Sequence, residues 1–241
     1  MEVVLRGWSA WAPGLEDRLS WERWAEQPEP LGREGIPDAK FLPPMLRRRC
    51  TPLTKIMLRV AFDTCPETER GAVRTVFASR HGSINESIDL IEAVVRKERL
   101  SPAKFSHTVH NAQAGLFSIA AGNREASASL AAQADTFPLG FLEALTHLER
   151  EPSRPVLFVT GDVPLAPTFA PLVSEPTASY AVGLVLATRG EGPRIEFEIT
   201  AGAGRASAQW PQAAEFLRWW LAGTDALQMK GVRQQFCWNR G

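Results

Sequence analysis

Apolar residues recur along this chain with two different spacings. Continuous apolar runs mark strands buried on both faces of a sheet. Arg154–Thr160 (RPVLFVT) and Ala178–Thr188 (ASYAVGLVLAT) are two, and Ala72–Ser79 (AVRTVFAS) is a third. Glu2–Trp11, with Val3, Val4, Leu5 and Trp8, predicts an opening strand, and Ala126–Ala132 is β-prone. Arg194–Thr200 (RIEFEIT) alternates like an exposed or edge strand. Elsewhere the spacing is helical. Leu53, Ile56, Met57, Val60 and Ala61 share one face of a helix over Leu53–Thr64, with Thr51 as its N-cap and Pro52 at its first position. Ile84, Ile88, Ile91 and Val95 do the same in a helix that Ser83 caps and that reaches about Glu98. Shorter helical stretches are expected at Trp21–Glu26 and Ala112–Ala120, and longer ones over Thr136–Glu149 and from Pro211 through Leu221. Turns fall at Arg80-His81-Gly82, Gly122-Asn123, Gly161-Asp162 and Gly190–Pro193. Pro13–Pro44 and Pro164–Pro176 read as long connections, Gly202–Ser207 as a small-residue flexible link, and the tail beyond the last helix carries no assigned element. The alternation of strands and helices predicts a single α/β layered domain over 1–241, with a mixed sheet and no internal repeat.

Composition narrows the function classes. The chain has 241 residues, 44% of them hydrophobic, which is an ordinary globular composition. A formal net charge of zero argues against a broad nucleic-acid-binding surface. No apolar run is long enough to span a bilayer, and MEVVLRGWSAW lacks the apolar core of an export signal. Cys50, Cys65 and Cys237 form no CxxC pair, so reduced thiols and a cytoplasmic location are expected. The eight tryptophans gather near both ends, so both ends are expected to pack.

Most candidate chemistry has a structural reading. His107 and His110 lie three apart, but no further ligands stand at metal-binding spacing, so no metal or cofactor is expected. The three cysteines read as small buried or partly buried thiols. There is no GxSxG elbow, and Gly202-x-Gly204 is too short for a nucleotide fingerprint. Arg47, Arg48 and Arg49 read either as a solvated run or as a patch for an acidic carrier protein or a phosphate.

One stretch carries more. SPAKFSHTVHNAQAGLFSIAAGN is followed by SLAAQADTFPLGFLEAL, then RPVLFVTGD, then ASYAVGLVLAT. Their order and spacing resemble the N-terminal domain of β-ketoacyl synthases, in the thiolase superfamily, most clearly over 43–188. The resemblance is to the small subtype found with aryl-polyene and related type II fatty-acid-like clusters. It implies a truncated thiolase-like fold, a single N-terminal half of a ketosynthase. In that family a strand delivers a nucleophilic cysteine to the N-terminus of a buried helix. The comparison puts that position at or beside Ala134, where Gln133 and Ala134 leave it vacant. The family's second half supplies two histidines, whereas the only histidine after Ala144 is His147. Chain-length factors are ketosynthase-like subunits that also lack the cysteine and pair with an active subunit. The resemblance therefore implies a non-catalytic subunit that stabilises a full-length β-ketoacyl synthase, as a heterodimer or larger complex, with acyl carrier protein as a further partner. The implied interface comprises Phe105, His107, Val109, His110, Asn111, Phe117 and Asn123, with the strand residues Ala126, Ser127, Ala128, Ser129 and Leu130. The alternative is an independent acyltransferase with an unrecognised nucleophile.

Overall fold

The computed structural model describes residues 1–173, 177–202, 204 and 209–241. Strand β1 (Glu2–Trp11) leads to helix α1 (Arg18–Glu26), the one-turn α2 (Pro44–Arg47), α3 (Pro52–Thr64) and the one-turn α4 (Glu67–Arg70). Then come β2 (Arg74–Ala78), α5 (Ile84–Val95), the one-turn α6 (Pro102–Phe105), α7 (Ala112–Ala121) and β3 (Ser127–Leu130). Next are α8 (Thr136–Arg150), β4 (Val156–Asp162), β5 (Tyr180–Ala187) and β6 (Arg194–Ala201). Helix α9 (Gln212–Ala222) and the strands β7 (Ala226–Lys230) and β8 (Gln234–Arg240) complete the order.

All eight strands join one mixed sheet in the order β3-β2-β4-β5-β1-β6-β8-β7. β2 runs parallel to β3 and β4, and the other pairings are antiparallel. Helices cover both faces, so the α/β layered reading holds. α8, α9 and α1 build one apolar layer with Phe137, Phe141, Phe158, Phe216 and Trp238. α3 and α7 build the other, around Ile56, Met57, Val60, Phe77, Phe117 and Leu157. That double cover explains why β2 and β5 are buried at every residue and read as unbroken apolar runs.

Local chemistry sets these elements. The Thr51 hydroxyl accepts from the Thr54 amide at 3.1 Å, and Pro52 starts α3, as the sequence predicts. α8 approaches β2 and β4 so closely that a Cβ on Gly140 would lie 2.8 Å from the Phe158 ring and 2.9 Å from the Ala78 methyl. A glycine inside this helix is the condition for that contact. Among the described residues no helix is long and apolar enough to cross a membrane.

Four expectations change. Ser83 precedes α5 but makes no side-chain cap; its hydroxyl accepts instead from the buried Gln113 amide at 3.2 Å. Gly161-Asp162 is not a turn after the strand but the last two residues of β4, because both pair with β5. β6 is not an edge strand: it lies between β1 and β8, with Ile195 and Phe197 inward and its other face wet. The unassigned tail is the β7–β8 hairpin, which buries Met229, Phe236 and Trp238. Gly202 and Gly204 of the expected small-residue link have no regular structure, and the rest of that link lies mostly outside the described residues.

Candidate functional site

Three turns converge beyond the C-terminal ends of the parallel strands β2 and β3, where crevices form in sheets of this kind. The first is Arg80–Gly82, after β2. The second is a single 3₁₀ turn, Gln133–Asp135, which links the segment after β3 to α8. The third is the β7–β8 turn at Gly231–Arg233. Together they enclose an open cleft of about 600 Å³, lined by Arg80, His81, Ala131, Ala132, Gln133, Ala134 and Val232.

The corner at Gln133 is the sharpest feature. Gln133 has φ +52°, a left-handed conformation in a residue with a Cβ. Such a residue costs on the order of 1–3 kcal/mol and persists only where its surroundings fix it. Here they do. The Thr136 hydroxyl donates to the Gln133 carbonyl at 2.6 Å and accepts from the Ala132 amide at 3.0 Å. The buried Asp135 carboxylate accepts from the Val232 amide at 3.0 Å and ties the corner to the distant hairpin. The result is a strand-to-helix elbow that holds residue 133 exposed in the cleft, at the N-terminal end of the 15-residue α8. The sequence placed the vacant position at or beside Ala134. Gln133 is the residue on the elbow, and Ala134 is half-buried behind it.

The opposite wall hangs on Asp162. One of its carboxylate oxygens accepts from the Ser79 hydroxyl (2.8 Å) and from the amides of Arg80 (3.0 Å) and His81 (3.2 Å). The Gly82 amide donates to the Ser79 hydroxyl at 2.9 Å and closes the turn. Burial pushes the Asp162 pKa up to about 6, against the pull of these donors. Burial, and then the charge of Asp162 opposite it on the sheet, lifts Tyr180 well above the ordinary phenol value. Burial, and then the charge of Arg80 beside it, lowers the His81 pKa. The sequence showed this wall only as two turns, because Ser79 and Asp162 stand 83 positions apart.

No cysteine lines the cleft. Cys50 and Cys65 are buried in the layer under α3, and burial raises each thiol to about 11. Cys237 sits on β8. The Gln133 amide can donate and accept hydrogen bonds but cannot form a thioester. Among the described residues no group of three His, Cys, Asp or Glu is placed to hold a metal.

The other expected site residues divide by exposure. Among the described residues β3 lies at the edge of the sheet and pairs only with β2. Ala126 and Ser127 are exposed there, and Ala128, Ser129 and Leu130 half-buried. Phe105 is 65% exposed, Val109 and Asn111 are exposed, and His107 and His110 half-buried. Phe117 and Asn123 do not face outward. Phe117 is 1% exposed and packs on Phe62 and Phe77, because α7 turns it toward α3. The Asn123 amide donates to the carbonyls of Arg70 and Val73, at 2.6 and 2.8 Å. Arg48 and Arg49 are exposed beyond α2 and Arg47 is half-buried. Arg49 adjoins His107, whose pKa is lowered by burial and then by the Arg49 charge.

Comparison with known proteins gives a consistent result. A family profile described as β-ketoacyl synthase, N-terminal domain, matches residues 21–239. No match to a curated protein sequence was found. One chain from the complex of a ketosynthase (ApeO) with its chain length factor (ApeC) from Xenorhabdus doucetiae is similar along its whole length. It shows a TM-score of 0.84 and 26% identity, with 100% of each chain covered. The ishigamide ketosynthase/chain length factor shares the fold, at TM-score 0.62 and 15% identity, over 82% of this chain and 67% of that one. So does a β-ketoacyl synthase from Burkholderia phymatum STM815, at 0.65 and 12%, over 93% and 71%.

Proposed function

The chain belongs to the β-ketoacyl synthase N-terminal-domain family, and from that premise we propose that it is a non-catalytic, chain-length-factor-like subunit. It pairs with an active β-ketoacyl-ACP synthase and stabilises it, in aryl-polyene or related polyketide and fatty-acid-like biosynthesis. One observation carries this reading: the elbow at the head of α8 is built and held, but it presents the Gln133 amide where acyl transfer needs a thiolate. A thiol there would gain from the helix N-terminus, which lowers its pKa. An amide gains nothing of the kind. The fold retains the strain of the elbow without its chemistry.

The partner supplies the missing chemistry. The unpaired edge of β3 offers main-chain donors and acceptors to a strand of a second subunit, and the small side chains of Ala126–Ser129 allow a close approach. Phe105, Val109 and Asn111 are exposed in the segment that leads into α7, and α7 touches β3; the Arg47–Arg49 run gives an acidic carrier protein a place to dock. The likeness to a chain taken from a ketosynthase–chain length factor complex supports this assignment. The test is co-expression with the β-ketoacyl synthase of the same gene neighbourhood, followed by size-exclusion chromatography. Co-elution and a gain in the synthase's stability are expected. Separate elution, with the synthase fully active alone, would sink the proposal.

A further inference from the structure

The β7–β8 hairpin reaches the elbow at two levels. Its body is fixed by rings. Trp238 is fully buried, and its ring centroid lies 5.9 Å from those of Phe137 and Phe141, on the first two turns of α8. Phe236 and Met229 are buried with it in the same layer. The tip is held differently. Val232 is 49% exposed, and Arg233 beside it is exposed. The Gly231 amide donates to the Gln234 carbonyl at 2.8 Å and closes the turn on itself. The bond from the Val232 amide to the Asp135 carboxylate, at 3.0 Å, then joins the tip to the elbow.

Gly231 shows how closely this joint is fitted. A Cβ there would lie 2.7 Å from the Phe236 ring, 2.9 Å from an Asp135 carboxylate oxygen and 2.9 Å from the Gln234 carbonyl oxygen. Two residues before that carboxylate stands Gln133, at φ +52°. Left-handed backbone is unfavourable for a residue with a Cβ and persists only where its surroundings over-determine it. The Thr136 hydroxyl bonds to the Ala132 amide and the Gln133 carbonyl span four positions or fewer, so the corner has them before the hairpin docks. The Asp135 bond reaches a turn 97 positions on and forms only with the hairpin in place. A buried carboxylate that loses a donor bears its desolvation cost, so the tip cannot lift without disturbing the corner.

We propose that the Gly231–Arg233 turn is a strap on the elbow. Docked, it holds Asp135 and keeps Gln133 left-handed at the wall of the cleft. Lifted, it lets Asp135 turn to solvent, and the corner relaxes out of the left-handed region. Val232 and Gln133 both line the cleft, on elements that thus move as one unit. A group that displaces Val232 acts on Gln133 without touching it. Asp135 and Gly231 are the positioning residues of this device. It concerns the chain by itself, and it stands whether or not the chain pairs with a synthase.

The experiment is a double-mutant cycle on the full chain, read by urea denaturation. Gln133→Gly is expected to raise the folding equilibrium constant about three- to tenfold, because glycine takes up φ +52° without steric cost. In an Asp135→Ala or a Gly231→Ala background that gain is expected to vanish, since the relaxed elbow no longer asks for a left-handed residue. Asp135→Asn keeps an oxygen that can accept from the Val232 amide, and it is expected to keep the gain. The same gain in every background would mean that Asp135 is a structural contact alone, and it overturns the strap. So does the absence of any gain in the otherwise wild-type chain. Hydrogen exchange of the unaltered chain decides the matter if the alanine variants do not fold. The Val232 and Ala132 amides are expected to show protection factors within about fivefold of each other, as groups released by one opening. A wider gap would mean that tip and corner open separately, and the strap falls.

Discussion

Helices α3 and α5 carry the same kind of apolar repeat and meet opposite surroundings. The 13 residues of α3 lie against β1, β4 and β5 and bury Leu53, Ile56, Met57, Leu58, Val60 and Ala61. None of the 12 residues of α5 is fully buried; Ile88 and Leu90 are half-buried, and Ile84, Ile91, Val94 and Val95 are exposed. Helical spacing of apolar residues shows that a face needs cover. It does not show whether the cover comes from the same chain. In α3 the repeat serves the core, and in α5 most of it is left facing solvent.

Substitution separates the two roles. Met57→Ala is expected to cost about 2–5 kcal/mol, the range for deleting a large buried side chain. Ile91→Ala should stay within about 0.5 kcal/mol in the isolated chain. Urea denaturation of both variants gives the comparison, and equal losses would erase the contrast. A smaller effect is expected from pH, at the turn that launches α5. The Asp162 pKa of about 6 lies above its unfolded value near 4. The native state therefore binds more protons between these values, and stability falls as pH rises from about 4 to 6 and then levels. Burial of Glu86 and Glu215 acts with the same sign. Asp162→Asn is expected to flatten this slope in denaturation curves taken across that range.

Two glycines make the contrast finer. Gly140→Ala puts a methyl into Phe158 and Ala78 and is expected to destabilise by roughly 1–3 kcal/mol. Gly115→Ala meets nothing and is expected to stabilise the isolated chain by about 0.5–1 kcal/mol. The elbow gives the smallest effect on stability but an informative one. The thiol of Gln133→Cys is expected to react with iodoacetamide at least about tenfold faster than Cys50 and Cys65, since a helix N-terminus favours the thiolate and burial opposes it. Equal rates would mean that the elbow is not a nucleophile position.

Much of this was legible in the sequence. Strands buried on both faces read as unbroken apolar runs, and Thr51-Pro52 announced the start of α3. The run Ala126–Ala132 leading into a helix over Thr136–Glu149 marked the strand-to-helix junction before α8. What escaped depends on distance or rotation. The β7–β8 hairpin intersperses Leu227, Met229, Phe236 and Trp238 with Gln, Lys, Arg and Asn and shows no unbroken apolar run. The role of its turn depends on Asp135, 97 positions away from Val232. Asp162 looked like part of a turn because the amides it collects come from another turn, Arg80–Gly82. Phe117 looked available because the pattern shows only that α7 has faces, not which one α3 covers. The outward turn of α5 rests on Asn85, whose partners lie in the loop after β4.

The most direct test is native mass spectrometry of this chain co-expressed with the β-ketoacyl synthase of its gene neighbourhood and incubated with an acyl-carrier donor. The account expects a one-to-one pair in which the added acyl mass sits on the synthase alone. An acyl adduct on this chain, or two proteins that remain separate, would contradict it.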